Sequence, residues 1–366
     1  MKFNIEKGNF SRALGSAQSV VERRNTIPIL NNVVLEAKGS TLSITGTDMD
    51  IVIVDTTEIQ CESEGSISTP AGPLFDIVKQ SPEGAQISVE LNGDKLIVTA
   101  GRSKFDLPTL STDEFPTITG GEMPHSFKVG ANELNEMINN TSFAISNEET
   151  RYYLNGIFLQ EADGQLVAVA TDGHRLAKSE TAAPEGAKGM PEVIIPKKAI
   201  NELNKMLEQT DSEVEIKLSD SKIKFQVNSA VITTKLVDGT FPDYKRVIPS
   251  GNPEVFKINC DVFSEAVRRV SILSDSKMCP IKVNIKNGTL KFFASHPQLG
   301  TATDEMEVDY SGAELEIGFN ARYLTDIASQ IKNGEAIFEL KDGSSPSVIK
   351  NAENESVLYV LMPMRV

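Results

Sequence analysis

The chain carries three copies of one pattern, and this repetition limits what it can fold into more than any compositional figure does. Phe3, Phe127 and Phe256 each open a short stretch that leads into a helical stripe. The stripe reads Phe10, Ala13, Leu14, Ala17 in the first copy, Leu134, Met137, Ile138, Thr141 in the second, and Phe263, Ala266, Val267, Val270 in the third. The spacing is helical each time. Gly8, Asn132 and Asp261 share one relative place, where helix caps are expected. Copies this long exceed the period of about 20 to 50 residues seen in stacked arrays, so each is a whole domain able to bury its own core. In 366 residues the pattern predicts three domains, 1–124, 125–252 and 253–366. The boundaries fall at Met123-Pro124 and Ser250-Gly251-Asn252-Pro253, where Pro, Gly and polar residues punctuate the chain.

The first two copies align without a gap at an offset of 124, from Phe3/Phe127 through Leu30-Asn31/Leu154-Asn155 to Thr47-Asp48/Thr171-Asp172. In the third, Asn287-Gly288-Thr289-Leu290 matches the hairpin turn Asp163-Gly164-Gln165-Leu166, and Ser295-His296 stands where Thr171-Asp172 stood. Each copy then repeats its grammar of strand, helix and strands. Pro70, Pro196 and Asn320 mark the second helix starts, followed by Leu74-Ile77-Val78, Ile200-Leu203-Leu207 and Leu324-Ile327-Ile331. The predicted fold class is α+β: three similar domains, each with two helices and antiparallel sheets, built from six half-domains.

A formal net charge of −15 argues against a nucleic-acid binder, which usually presents a basic face. Charge placement works the other way. The six predicted helical segments, 7–24, 71–80, 131–149, 196–209, 260–273 and 320–333, sum to near neutrality, so acidity sits on strands and loops. Arg12, Arg23, Arg24, Lys79, Lys197, Lys198, Lys205, Arg268, Arg269 and Lys332 are then available to phosphates, although Glu133, Glu136, Glu148 and Glu149 make the third helix a poor fit. Helices forming one layer can line a concave face. Twelve of them, two chains' worth, at about 10 Å each enclose a hole of roughly 28 Å, wider than a duplex of about 20 Å.

Cys61, Cys260 and Cys279 show no CxxC spacing, so neither a disulfide framework nor a zinc site is expected. No phosphate-binding glycine loop or HExxH occurs, and no cofactor is expected. Asp172-Gly173-His174-Arg175 offers a carboxylate and an imidazole on one turn, which could act as acid and base. The first copy has Met49-Asp50 at Gly173-His174, and no nucleophile stands nearby, so a non-enzyme is expected. The sequence has no run of about 18 apolar residues and no leader pattern, which predicts a cytoplasmic protein with no membrane partner.

Specific stretches carry a resemblance. Thr26-Ile27-Pro28-Ile29-Leu30, Arg151-Tyr152-Tyr153-Leu154-Asn155-Gly156, Ala170-Thr171-Asp172-Gly173-His174-Arg175-Leu176-Ala177, Leu236-Val237-Asp238-Gly239-Thr240-Phe241-Pro242-Asp243-Tyr244 and Met362-Pro363-Met364-Arg365 resemble the bacterial DNA polymerase III β subunits, the replicative sliding clamps, along the whole chain. The resemblance implies a head-to-tail homodimeric ring of six similar domains around double-stranded DNA, with helices lining the pore. It implies opening by a clamp-loader complex, and tethering of the replicative polymerase catalytic subunit, translesion polymerases and repair proteins. Matched position by position, it implies a partner-peptide groove between the second and third domains. From the second copy come Leu154, Thr171, Gly173, His174, Arg175 and Leu176; from the following loop, Pro242, Arg246 and Val247. From the third come Met278, Asn320 and Tyr323, and from the tail Val360, Met362, Pro363, Met364 and Arg365.

That composition gives an apolar trough with methionines that adapt to varied side chains and arginines at the rim to fix a peptide's register. The same resemblance assigns DNA contact to Arg24, Lys197 and Lys198, and a dimer seam to Phe105 and Leu107 against Ile272 and Leu273, with Arg102 and Lys104 beside them. Two departures are Gly72-Pro73, where family members often carry a basic residue, and Pro346, where a serine is familiar. The charge of −15 leaves an alternative, an acidic peptide-binding scaffold that never encircles DNA.

Overall fold

The computed structural model describes residues 1–22, 26–116, 118, 121–274, 278–331 and 334–365; Arg23, Arg24 and Lys332 lie outside them. The first copy runs β1 (Lys2–Glu6), α1 (Lys7–Gln18), β2 (Asn32–Lys38), β3 (Thr41–Thr47) and β4 (Ile51–Glu58). After a short extra strand, β5 (Gln60–Ser63), the order recurs as β6 (Gly65–Pro70), α2 (Ala71–Gln80), β7 (Gln86–Asn92), β8 (Lys95–Ala100) and β9 (Ser103–Pro108). The second copy opens with β10 (His125–Gly130), α3 (Ala131–Ser142), β11 (Gly156–Ala162), β12 (Gln165–Thr171) and β13 (Arg175–Ala182). It continues with β14 (Val193–Pro196), α4 (Lys197–Leu207), β15 (Glu213–Leu218), β16 (Lys222–Val227) and β17 (Ala230–Lys235). The third opens with β18 (Glu254–Asn259), α5 (Cys260–Ser271), β19 (Pro280–Lys286), β20 (Thr289–His296) and β21 (Gly300–Glu307). It closes with β22 (Leu315–Asn320), α6 (Ala321–Gln330), β23 (Glu335–Leu340), β24 (Ser347–Asn351) and β25 (Val357–Leu361). One unit, strand–helix–three strands, is therefore used six times.

Local chemistry sets the helix ends earlier than periodicity suggests. The caps are Glu6 and Asn259, each accepting from an amide of the first turn, so Gly8 and Asp261 are second helical residues rather than caps. Asn132 likewise lies inside α3, which starts at Ala131. At the other end, α1 stops at Gln18 rather than 24, where the Ser19 hydroxyl donates back to Ser16 O (2.7 Å). Within α3, Thr141 donates to Met137 O (2.7 Å), and the helix ends at Ser142, well short of 149. Serine and threonine side chains that compete for backbone groups favour such ends.

The chain packs as two compact bodies, each holding two sheets. The first comprises Met1–Asn135, Pro184–Pro191 and Lys198–Leu236. Its sheets run β5-β1-β7-β8-β9 and β10-β15-β16-β17-β4-β3-β2-β6. The second comprises Glu136–Ala183, Glu192–Lys197 and Val237–Val366, with sheets β14-β11-β12-β13-β25-β24-β23-β18 and β21-β20-β19-β22. Consecutive copies thus share sheets: β4 pairs with β17 from Ile51↔Thr234 to Asp55↔Ala230, and β13 pairs with β25 from Arg175↔Leu361 to Ser179↔Val357.

Helices cover one face of these sheets, and the cores lie between. In the first body Phe3, Phe10, Leu14, Leu35, Leu42 and Leu74 are fully buried, with Phe3 edge-on to Phe10. Gly46 on β3 admits α1 closely: a Cβ there would lie 1.9 Å from Ala17 O. The β4–β17 seam has its own lock. Fully buried Asp55 accepts from Arg12 Nη1 (2.8 Å) and from Ser229 Oγ (2.8 Å). Arg12 is therefore committed to a structural ion pair rather than left available for phosphates.

Candidate functional site

The strand β12 ends in a turn whose geometry is written in its side chains. Thr171 Oγ1 donates to Arg175 O (2.6 Å) and accepts from Gly173 N–H (3.1 Å). Asp172 Oδ1 accepts from His174 N–H (2.9 Å) and Arg175 N–H (3.0 Å). In the first copy Thr47 and Asp48 make the equivalent four bonds to Ile51, Met49, Asp50 and Ile51. The residue third in the turn has positive φ in both, +88° at Gly173 and 81° at Met49. Asp172, half of the acid–base pair considered above, is thus spent bracing backbone.

Beside this turn, in the second body, lies a cavity of about 220 Å³. Leu154, Leu176 and Val360 form its floor, continuous with a buried cluster in which Phe158 stacks on Phe241 with ring centroids 4.7 Å apart. Pro242, Val247 and Met362 wall it, and Thr171, Gly173 and Arg175 are the other expected residues that line it. Arg151, Tyr153, Asp243 and Tyr244 also line it and were not among the expected groove residues. All four stand in stretches that carried the resemblance, so the sequence marked them as neighbours of the expected groove residues rather than as lining. Tyr244 is held by a hydrogen bond from Gln160 Nε2 (2.7 Å), and burial pushes its hydroxyl pKa upward. Arg151 is fixed at the rim by a two-point pair with Glu148, both contacts at 2.8 Å.

Arg175 lines the cavity from a buried position, and the remaining expected groove residues stand outside its lining. Arg175 was expected at the rim, yet its side chain is only 10% exposed. It donates to Asp326 (2.6 Å), Asp172 (3.2 Å) and Phe143 O (2.7 Å), and its guanidinium lies over the rings of Tyr323 and Phe143. His174 is exposed and stacks against Tyr323. Asn320 caps α6 by accepting from Arg322 N–H (2.9 Å). Arg246 is exposed and paired with Asp243 (2.8 Å), and Met278 is 61% exposed, away from the cavity lining. Beyond Val360 the tail divides. Met362 N–H donates to His174 O (2.9 Å) and Met364 N–H to Gly318 O (2.9 Å), so Pro363, Met364 and Arg365 line a second, more polar cavity with Lys282, Glu316 and Ser344.

The expected DNA contacts also resolve unequally. Lys198 is paired with Asp48 and donates to Val20 O (3.2 Å), while Lys197 reaches Asn147 Oδ1 (2.7 Å). Arg24 lies outside the described residues. Of the expected seam residues, Ile272 is 73% and Phe105 37% exposed, and Leu273 is half-buried. Leu107, by contrast, packs into the core of its own copy. Phe105 lies on β9 and Ile272 just beyond α5; β9 and β21 are end strands of their sheets. No described helix is long and apolar enough to cross a membrane, and among the described residues no His, Cys, Asp and Glu cluster is placed to hold a metal.

Comparison with known proteins places this geometry. Residues 1–119, 128–243 and 245–365 match, in order, the N-terminal, central and C-terminal domains of the DNA polymerase III beta subunit. The beta sliding clamp of Caulobacter vibrioides is 44% identical over 372 residues, and that of Escherichia coli 36% over 368, each covering 100% of both chains. A crystal structure of a DnaN sliding clamp from Bartonella birtlesii bound to griselimycin superposes with a TM-score of 0.98 at 43% identity, covering 100% of both chains.

Proposed function

Because the chain belongs to the DNA polymerase III beta subunit family over its whole length, we propose that it works as a sliding clamp, a non-catalytic ring that encircles duplex DNA and holds polymerases at the template. The observation that carries the ring is an arithmetic of sheets. Two eight-stranded sheets each join four strands of one copy to four of the next, through β4–β17 and β13–β25. The remaining strands, β22-β19-β20-β21 and β9-β8-β7-β1, are two halves of a third such sheet, with β5 beyond it. Joining β21 of one chain to β9 of another completes it, and doing so twice closes a head-to-tail homodimer. Arg102 precedes β9 and Lys104 lies at its start, while β21 carries Glu305 and Glu307 besides Asp304, which Arg269 already holds, so these ends of the two edges attract. Unpaired edges also invite such pairing.

The apolar cavity serves partners. It is smaller than the roughly 300–1,000 Å³ of pockets that engulf a drug-sized ligand, and it suits one or two large side chains of an extended peptide. Burying one such side chain contributes about 1.5–3 kcal/mol. A short segment with a glutamine and two or three large apolar residues fits this trough and the polar rim of Arg151, Thr171 and Asp243. Through it the clamp would engage the clamp-loader complex, the replicative polymerase catalytic subunit, translesion polymerases and repair proteins, in the cytoplasm. The three-domain division 1–124, 125–252 and 253–366 belongs to the same reading. Retention on nicked circular against linear duplex tests encirclement: a ring stays on the circle and runs off free ends, and equal retention on both would refute it.

A further inference from the structure

Arg175 lines the cavity but has little left to offer a ligand. Three of its five N–H groups are engaged within the protein, by Asp172, Asp326 and Phe143 O, and its guanidinium lies over the rings of Tyr323 (4.3 Å) and Phe143 (5.0 Å). Its main chain begins β13, opposite Leu361, next to the tail residue whose amide donates to His174 O. One residue thus joins four parts of the fold: its side chain ties the turn Thr171–Arg175 to the residue just beyond α3 and to helix α6, and its main chain pairs with the tail strand. Asp326 and Tyr323 belong to α6 and do not line the cavity.

We infer that Asp326 is a positioning residue for the peptide groove: through its 2.6 Å contact to Arg175 it sets where the turn Asp172–Arg175 and the tail strand stand, without touching the peptide. The inference rests on the groove reading above. The chemistry favours this role over a chance surface pair. Asp326 is 45% exposed, yet the guanidinium it grips is 10% exposed, so the contact is a charge-assisted bond to a nearly dry partner. Its loss leaves Arg175 with only Asp172 as counter-charge, and that carboxylate is already shared with two turn amides.

The test measures affinity of the full-length protein for a fluorescein-labelled peptide containing glutamine, aspartate, two leucines and phenylalanine, by anisotropy. Removing a negative charge near an acidic peptide would tighten binding if Asp326 acted only through its field. Positioning predicts the opposite sign: Asp326→Ala binds about tenfold more weakly because the turn and tail are displaced, while the lost internal bond to a charged group appears separately as a modest fall in the thermal midpoint. Tyr323→Leu, which removes the ring face under the guanidinium, weakens binding in the same direction, and Tyr323→Phe, which keeps the face, restores it. The Arg175 Nε–H resonance should also move or broaden in Asp326→Ala without peptide present. Unchanged or tighter binding by Asp326→Ala, or an unmoved Nε–H signal, overturns the inference. Failure of the unaltered protein to bind the peptide instead overturns the groove reading itself.

Discussion

Gly173→Met puts into the second copy the residue that the first copy carries at the same turn position. Met49 already holds φ 81° with a full side chain, and its amide still donates to Thr47 Oγ1 at 3.0 Å, against 3.1 Å for Gly173 to Thr171. The backbone cost of a left-handed L-residue is about 1–2 kcal/mol, and replacing glycine returns about 0.5–1 kcal/mol by restricting the unfolded chain. The net is about 1 kcal/mol, or about 2–4 °C in a body of this size. Binding should suffer more. A Cβ at Gly173 lies 2.6 Å from Arg151 Nη1, so the new side chain must displace the rim arginine and cross the mouth of a cavity of only 220 Å³. Exclusion of one large apolar peptide side chain is worth about 1.5–3 kcal/mol, a loss of roughly tenfold to hundredfold in affinity. Calorimetric titration with the peptide and a thermal scan of the same sample measure both quantities. Unaltered affinity refutes the placement of the groove, and a far larger fall in the midpoint refutes the equivalence of the two turns.

Three further outcomes follow from contacts described above. Arg12→Ala strands the fully buried carboxylate of Asp55 and should cost about 2–3 kcal/mol, at or below the usual figure for breaking a buried pair because Arg12 is itself half-exposed; denaturant unfolding checks it, and a smaller cost in the Asp55→Asn background confirms the coupling. Lys197→Ala should flatten the salt dependence of duplex binding by about 0.9 in log–log slope, whereas Lys198→Ala, whose amine is held by Asp48 and Val20 O, should lower stability and leave the slope nearly unchanged. Ile272→Asp places a charge on the exposed residue beyond α5 and should yield monomers by sedimentation at micromolar concentration with the fold intact; a dimer would remove Ile272 from the seam.

Periodicity and internal repetition made the six helices and the hairpins visible, because apolar spacing is imposed by burial that each copy must repeat. The helix ends were less visible: Ser19 and Thr141 act through hydroxyls that bind backbone, which an apolar stripe does not register. Among the described residues the extra strand β5 pairs with β1 alone, and no strand of the other copies corresponds to it. Site residues were legible where one side chain has one job, as with Leu154, Leu176 and Val360 on the cavity floor. The engagement of a charge by a distant partner was not legible. Arg175 with Asp326, Arg12 with Asp55 and Lys198 with Asp48 lie 151, 43 and 150 residues apart, and no local pattern distinguishes a spent cation from a free one.

The shared sheets bear on how such a chain could arise. Five residue pairs cross each seam, so a copy cut out at its linkers would present raw backbone on β13 and β17 and meet its own kind with them. A lone copy would carry two such edges and could satisfy them only by pairing with further copies. Joining the copies in one chain makes those encounters covalent neighbours, so that β4, β17, β13 and β25 are all interior strands.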